Sequence, residues 1–183
     1  YNKYDFNPCS VYGLEVLVGG RYFPTRNENL HNAHYLTQVL LRGKTSFYPE
    51  LLLSALANEV RKKIRVGCYL TVVPSKPGQR QRMELMLDQL KPYLKGERIN
   101  VIADIFEFTK NFDTKTLGQR HNRIEVISQN MRIKRKPIRS ARVIVIDDIV
   151  TTGATLKVCE DLLTSSGVKE IVLLGLGKTH AHR

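Results

Sequence analysis

Residues 143–156, VIVIDDIVTTGATL, combine an apolar run, two adjacent acids and a short loop rich in hydroxyl groups. The run from Val143 to Ile146 lacks the alternation of a half-exposed strand, which predicts a strand covered on both faces of a parallel sheet. From Thr155 the apolar spacing becomes that of an amphipathic helix. This order predicts a ligand site, because ligands of open α/β sheets bind at the carboxyl ends of the strands.

The loop after the acids has the chemistry of an anion site. Unpaired N–H groups and the dipole at a helix N-terminus favour an anion, most often phosphate. Gly153 lets the backbone approach that anion, and Asp147 and Asp148 can accept hydrogen bonds from a diol. Three hydroxyl donors lie in the same loop, on Thr151, Thr152 and Thr155. The predicted ligand is therefore a sugar with a phosphate at one end and free hydroxyls at the other.

The same stretch resembles the 5-phosphoribosyl-1-pyrophosphate (PRPP) motif of the type I phosphoribosyltransferases, in which an apolar strand and paired acids precede a T-T-G-x-T loop. The resemblance implies an α/β core, a mostly parallel sheet flanked by helices, in residues 46–183, with a small hood-like region in residues 1–45. It also implies that Asp147 and Asp148 hold the ribose hydroxyls and act in catalysis. The residues it assigns to the 5-phosphate are Thr151, Thr152, Gly153, Ala154 and Thr155.

A second loop lies between a predicted strand, residues 69–73, and a predicted helix. The helix carries its apolar side chains on one face, at Met83, Met86, Leu87, Leu90 and Leu94. Strand, loop and helix repeat the arrangement of the first motif, so this loop is a second candidate anion site. The resemblance implies that it holds the pyrophosphate of PRPP, through Pro74, Ser75, Lys76 and Pro77, with Gln79 and Arg80 as further donors. An ordinary turn is the alternative.

Residues 109–123 form a polar stretch, and such long loops in compact domains tend to be functional or mobile. In the family, a flexible loop at this position closes over PRPP, which assigns Lys110, Arg120 and Asn122 to a lid and places Arg120 or Lys110 at the leaving group. Leu117, Arg120 and Asn122 also resemble a pattern of the competence protein F (ComF) group.

Two further segments carry strand signals. Residues 11–23 contain two apolar stretches divided by Gly19 and Gly20, which predicts a hairpin that turns at the glycines. Residues 99–108, INVIADIFEF, predict one more strand of the core.

The net charge of +12 is the unusual bulk property of the 183 residues. It favours polyanionic partners, either a sugar phosphate or a nucleic acid. Residues 132–142, RIKRKPIRSAR, hold six of the basic side chains. A solvated loop before the motif strand is the alternative to a nucleic-acid contact there.

Other features limit where the protein acts. No apolar run approaches the ~20 residues that span a bilayer, so we expect no membrane partner. Cys9, Cys68 and Cys159 are far apart and form no C-x-x-C pair, which indicates reduced thiols and a cytoplasmic location. The chain begins with Tyr1 rather than Met, so a place in a larger protein stays open. A homodimer is the other assembly that stays open.

The resemblance implies transfer of a 5-phosphoribosyl group from PRPP to a nitrogen acceptor, such as a base, with release of pyrophosphate. Mg²⁺ would enter with PRPP, held by pyrophosphate and ribose oxygens and water rather than by a direct protein site. The alternative is a PRPP- or nucleotide-sensing regulator, with a link to DNA and without transferase activity. The acceptor is not identified by the sequence.

Overall fold

A computed structural model describes residues 5–43, 47–78, 81–112, 120–137 and 141–180. In these residues one sheet contains seven strands: β1 (Asn7–Val11), β2 (Leu14–Val18), β3 (Arg21–Tyr22), β4 (Cys68–Val72), β5 (Ile99–Val101), β8 (Arg142–Val150) and β9 (Glu170–Thr179). Their order is β1-β2-β9-β8-β4-β5, with β3 also beside β9. The pairings are parallel except for that of β1 with β2, so the predicted mostly parallel α/β sheet is confirmed.

Helices flank this sheet, and a small second sheet lies apart from it. The helices are α1 (Glu28–Ala33), α2 (Tyr35–Gly43), α3 (Glu50–Lys63), α4 (Arg82–Leu90), α5 (Arg120–Asn130) and α6 (Ala154–Ser165). The second sheet is the antiparallel pair β6 (Phe106–Phe108) and β7 (Met131–Ile133). None of the helices in the described part of the chain is both long and apolar enough to cross a bilayer.

Strand β8 is the centre of the main sheet, as its apolar run predicts. Val143 to Ile146 are fully buried between β4 and β9. The strand continues past this run to Val150 and includes both acids. On one side β4 ends at Val72, while on the other β9 pairs as far as Lys178. The acids therefore lie where β8 loses one of its two neighbours.

Both helix patterns read from the sequence are confirmed. The apolar face of α4 and the short 3₁₀ helix after it is buried, at Met83, Met86, Leu87, Leu90 and Leu94. In α6 the buried side chains include Cys159, so this thiol belongs to the core. Gly167, at φ 91°, ends α6, and the N–H of Val168 donates to Leu163 O at 3.0 Å.

The hairpin predicted to turn at Gly19 and Gly20 is wrong, and the described hairpin is instead that of β1 with β2. The chain turns at Tyr12 and Gly13, whose φ angles of 53° and 81° suit a two-residue hairpin loop. At Gly19 and Gly20 the chain continues along β9 from β2 into β3. A Cβ on Gly20 would lie 2.5 Å from Leu36 Cδ2, so the glycine is needed for close packing against α2.

The single strand predicted for residues 99–108 is wrong. β5 pairs with β4, whereas β6 pairs with β7 in the second sheet. Asp104, in the turn between them, forms ion pairs with Lys134 at 3.2 Å and Arg135 at 2.8 Å. Apolar composition alone does not reveal such a break, because both halves are suitable strands.

The lid prediction needs a partial correction. Arg120 and Asn122 belong to helix α5 rather than to a loop, whereas Lys110 lies in an exposed bend. Residues 113–119 lie outside the described residues. The helix was missed because its sequence, RHNRIEVISQN, has a weak apolar stripe.

Several basic side chains of residues 132–142 have acidic partners. Arg132 pairs with Glu107 at 2.7 Å, and Lys134 and Arg135 pair with Asp104. Arg142 donates to Glu170 through Nε at 2.8 Å. These contacts favour a structural role for the stretch over a nucleic-acid contact. The division of the chain at residue 45 into hood and core stays a prediction.

Two valines with opposite environments provide a test of the core. Val145 is 0% exposed and Val66 is 91% exposed. We expect Val145→Ala to lower the free energy of unfolding by about 2–3 kcal/mol, because it removes buried methyl groups and leaves a cavity. Val66→Ala should change it by less than about 0.5 kcal/mol. Urea unfolding measures both, and equal effects would contradict a buried β8.

Candidate functional site

Asp147 and Asp148 lie near the carboxyl end of β8, and the carboxylate of each accepts a hydrogen bond from the backbone. The N–H of Asp148 donates to Asp147 Oδ1 at 2.8 Å, and the N–H of Ile149 donates to Asp148 Oδ1 at 2.7 Å. The other oxygen of Asp148, Oδ2, lies 2.9 Å from Nη2 of Arg82, the first residue of α4. Both carboxylates are therefore fixed by the backbone, and one is also paired with a cation.

Burial makes a negative charge at this end of β8 unfavourable. Burial, followed by the charge of Asp148, raises the pKa of Asp147 well above its ordinary range, and Arg82 opposes the rise. Burial and the Asp148 carboxylate also raise the pKa values of Tyr22 and Tyr48. The Tyr48 hydroxyl is buried without a hydrogen-bond partner among the described residues. The acids thus lie in a partly desolvated group of polar side chains.

The predicted phosphate loop lies directly beyond β8. Gly153 is the N-cap of α6 in the left-handed region, at φ 69°. Its missing side chain matters for packing too, because a Cβ there would lie 3.3 Å from Leu14 and 3.4 Å from Val11. Thr152 Oγ1 accepts from the N–H of Ala154 at 3.4 Å. The structure thus places this loop beside the acid pair, at the start of a helix.

Strand β9 supports the phosphate loop through residues that the sequence reading did not assign to the site. The hydroxyls of Thr151 and Thr179 share a hydrogen bond of 3.0 Å. Lys178 Nζ donates to Thr151 O at 2.9 Å, and burial lowers the pKa of this amine. The sequence signal that could have identified these residues is their position at the end of a predicted strand. Neighbouring parallel strands bring their carboxyl ends together.

The second predicted loop begins next to the acids, since the N–H of Val73 donates to Ile146 O at 3.0 Å. Pro74, Ser75, Lys76 and Pro77 follow, and Gln79 and Arg80 lie outside the described residues. The N–H and Oγ of Ser75 both donate to the carboxylate of Glu84, at 3.1 and 2.7 Å. Ser75 is thus held by the first turn of α4.

Lys76 connects this loop to the segment that follows β6. Its Nζ donates to Phe112 O at 2.6 Å and lies 4.4 Å from the centre of the Phe112 ring. Within the described residues, Lys76 thus joins the predicted pyrophosphate loop to the segment that was predicted to be the lid. The structure does not bring Lys110 or Asn122 into a described contact with the acids.

A polar pocket of about 450 Å³ adjoins the carboxyl end of β9. Its lining comprises Arg26, Asn27, Glu28, Asn29 and His180. His180 follows Thr179, and its backbone N–H donates to Tyr22 O at 2.8 Å. The pocket therefore lies between the N-terminal region and the strand that supports the phosphate loop.

A family model described as "Phosphoribosyl transferase domain" matches residues 51–176, more than half of the chain. The chain belongs to the phosphoribosyl transferase domain family. The resemblance read from residues 143–156 is thereby confirmed at the level of the superfamily, and the similarity to the ComF group stays a prediction. The matched residues of this phosphoribosyl transferase domain contain the acid pair, the phosphate loop and the Ser75 loop.

The similar solved structures include phosphoribosyltransferases from two organisms. A hypoxanthine phosphoribosyltransferase from Staphylococcus aureus is 16% identical with a TM-score of 0.45, and the alignment covers 72% of each chain. A purine phosphoribosyltransferase from Pyrococcus horikoshii Ot3 is 17% identical with a TM-score of 0.41, over 70% of this chain and 81% of that one. Comparison with curated proteins gives no match.

The Glu84 carboxylate allows a direct test of how the Ser75 loop is held. We expect Glu84→Ala to speed hydrogen exchange at the Ser75 amide about tenfold, because a hydrogen bond to a charged group contributes about 1.5 kcal/mol or more. Asp88→Ala, on the same helix, removes only an exposed pair with Lys91 and serves as control. Unchanged exchange at Ser75 in the Glu84 variant would show that the bond does not hold the loop.

Proposed function

We propose that this domain binds PRPP and transfers its 5-phosphoribosyl group to a nitrogen acceptor, with release of pyrophosphate. The observation that carries the proposal is that Asp147 and Asp148 lie next to the loop that ends at Gly153, the N-cap of α6. Carboxylates that accept hydrogen bonds from a diol, next to a helix N-terminus that attracts phosphate, match the two ends of a ribose 5-phosphate.

In the proposed complex the acid pair holds the ribose hydroxyls, and residues 151–155 hold the 5-phosphate. Ser75 and Lys76, with the neighbouring prolines, face the pyrophosphate. Lys76 would exchange its bond with Phe112 O for one to the pyrophosphate. Arg120 begins α5 next to residues 113–119, and its role at the leaving group stays a prediction.

The reaction follows from this placement. The bond between ribose C1 and the pyrophosphate oxygen breaks with its electrons going to pyrophosphate, a bond forms from the acceptor nitrogen to C1, and the nitrogen's proton passes to solvent. Charge develops on the sugar in the transition state, so the protein acts by positioning and by electrostatic stabilisation.

A Mg²⁺ ion fits this scheme without a dedicated protein site. The part of the chain that the structure describes contains no group of three or more His, Cys, Asp or Glu side chains able to hold a metal. Mg²⁺ keeps much of its hydration and binds substrate phosphates readily. When bound with PRPP it would neutralise the pyrophosphate as that group leaves.

The polar pocket is our candidate for the acceptor site. Its guanidinium, carboxylate, amide and imidazole groups offer both donors and acceptors, as recognition of a heterocyclic base requires. A volume of about 450 Å³ suits a small ligand. Its position beside Thr179, which bonds to Thr151, supports a connection to the donor site.

The acid pair is tested by replacing both carboxylates. We expect Asp147→Asn/Asp148→Asn to abolish PRPP binding measured by calorimetry, because amides cannot supply charged acceptors at both positions. The matched control is Glu160→Gln/Asp161→Asn, an adjacent pair on α6 that contacts Lys157. Unaltered binding by the β8 double variant would overturn the assignment.

The acceptor site is tested by pyrophosphate release from PRPP over a panel of bases. We expect release with at least one base, and a KM for that base raised about tenfold or more in Glu28→Ala, since one lost charged hydrogen bond has that effect. The PRPP affinity should not change. Glu50→Ala alters the same residue type in the first turn of another helix and is the control.

These results separate the two functions considered. PRPP binding without pyrophosphate release for any base would contradict the transferase and favour a PRPP- or nucleotide-sensing regulator. An unchanged KM in Glu28→Ala, together with active transfer, would place the acceptor elsewhere.

A further inference from the structure

Arg82 contacts the acid pair, yet it belongs to neither of the predicted loops. It is the first residue of α4, and its Nη2 lies 2.9 Å from Asp148 Oδ2. The side chain of Asp148 is only 3% exposed, while that of Arg82 is 36% exposed. A carboxylate buried to this degree without a cation would be an uncompensated charge, which is unfavourable in a desolvated site.

The charged and titratable groups that act on this carboxylate come from several elements. Asp147 precedes it on β8, and Tyr22 and Tyr48 approach from β3 and from the segment before α3. On the side of α6 the neighbour is the buried thiol of Cys159, whose pKa is raised by burial and then by the charge of Asp147. In this described group the cation is Arg82.

Resting on the proposed PRPP site, we propose that Arg82 is a positioning residue that orients Asp148 and favours the ionised form of the acid pair, so that the pair can accept hydrogen bonds from ribose hydroxyls near neutral pH. Arginine suits this role because its guanidinium stays charged and holds a carboxylate in a fixed geometry. The residue acts through Asp148 and needs no contact with the sugar.

The direction of the effect follows from the electrostatics. Asp147 already has a raised pKa, owing to burial and the charge of Asp148, and Arg82 lowers it. Removal of Arg82 therefore moves proton uptake by the pair to higher pH. A protonated carboxyl donates a hydrogen bond where the sugar needs an acceptor. PRPP affinity should then decline at a higher pH as the solution is acidified.

The variants are Arg82→Gln, which removes the charge, and Arg82→Lys, which keeps it. Arg132→Gln is the control, since it also breaks an arginine–carboxylate ion pair, the one with Glu107, but at a side chain 67% exposed and outside the candidate site. Two measurements are made between about pH 5 and pH 9, a range that lies above the ordinary aspartate pKa of about 3.9 and in which carboxyl groups with a raised pKa take up protons. The first is the NMR titration of aspartate carboxyl carbons without PRPP, and the second is PRPP affinity by calorimetry.

We expect Arg82→Gln to raise the midpoint of proton uptake by the acid pair by about one pH unit or more, as loss of an adjacent guanidinium does. The acid limit of PRPP binding should move with it, giving about tenfold weaker binding below both midpoints. Arg82→Lys should restore most of the wild-type profile, and Arg132→Gln should match wild type.

Other outcomes would overturn the proposal. An unchanged midpoint in Arg82→Gln would exclude electrostatic control, even where affinity falls. Tighter PRPP binding by Arg82→Gln at every pH would show that Arg82 competes with the ribose. If wild type binds no PRPP, the proposed function fails, whereas the titration without ligand still decides whether Arg82 controls proton uptake by the acid pair.

Discussion

Two adjacent carboxylates at the end of a buried strand impose the main physical constraint on this protein. Strand β8 carries its apolar residues into the centre of the sheet and then presents Asp147 and Asp148 where β4 has ended. Burying negative charge is costly unless it is paired and hydrogen-bonded. Backbone N–H groups of β8 donate hydrogen bonds to one oxygen of each acid, and the guanidinium of Arg82 forms an ion pair with the second oxygen of Asp148.

The surrounding elements supply side chains to the acids and to the two loops beside them. Helix α4 supplies Arg82 to the acids and Glu84 to the Ser75 loop from a single turn. Strand β9 supplies Lys178 and Thr179 to the loop on the other side. The hairpin of β1 and β2 packs against Gly153 through Leu14 and Val11. The N-terminal region is therefore structurally connected to the phosphate loop.

Local pattern predicted the parts of the fold whose cause is local. The unbroken apolar run of β8 and the buried face of α4 each carry their own signal. The errors arose where tertiary contacts decide. Gly20 is required by the side chain of Leu36 rather than by a turn, and residues 99–108 divide because their strands find different partners. The pattern of residues within one segment does not show which side chain or which strand will pack beside it.

The candidate site likewise has one part that local sequence predicts and another part that only the fold brings together. The acids and the T-T-G-x-T loop are contiguous, so their chemistry was readable from residues 143–156. Arg82 and Lys178 are distant in sequence and join the site only through the sheet order and the start of α4. The polar pocket likewise combines residues 26–29 with His180. Such residues become identifiable once the strand order is known.

The central claim is that PRPP occupies the acid pair and the loop after it. An NMR titration of the backbone amides with PRPP tests this most directly. The account predicts saturable shifts at residues 147–155, with further shifts at Ser75 and Lys76. Saturable shifts elsewhere that leave residues 147–155 unchanged, or no shifts at all, would contradict it.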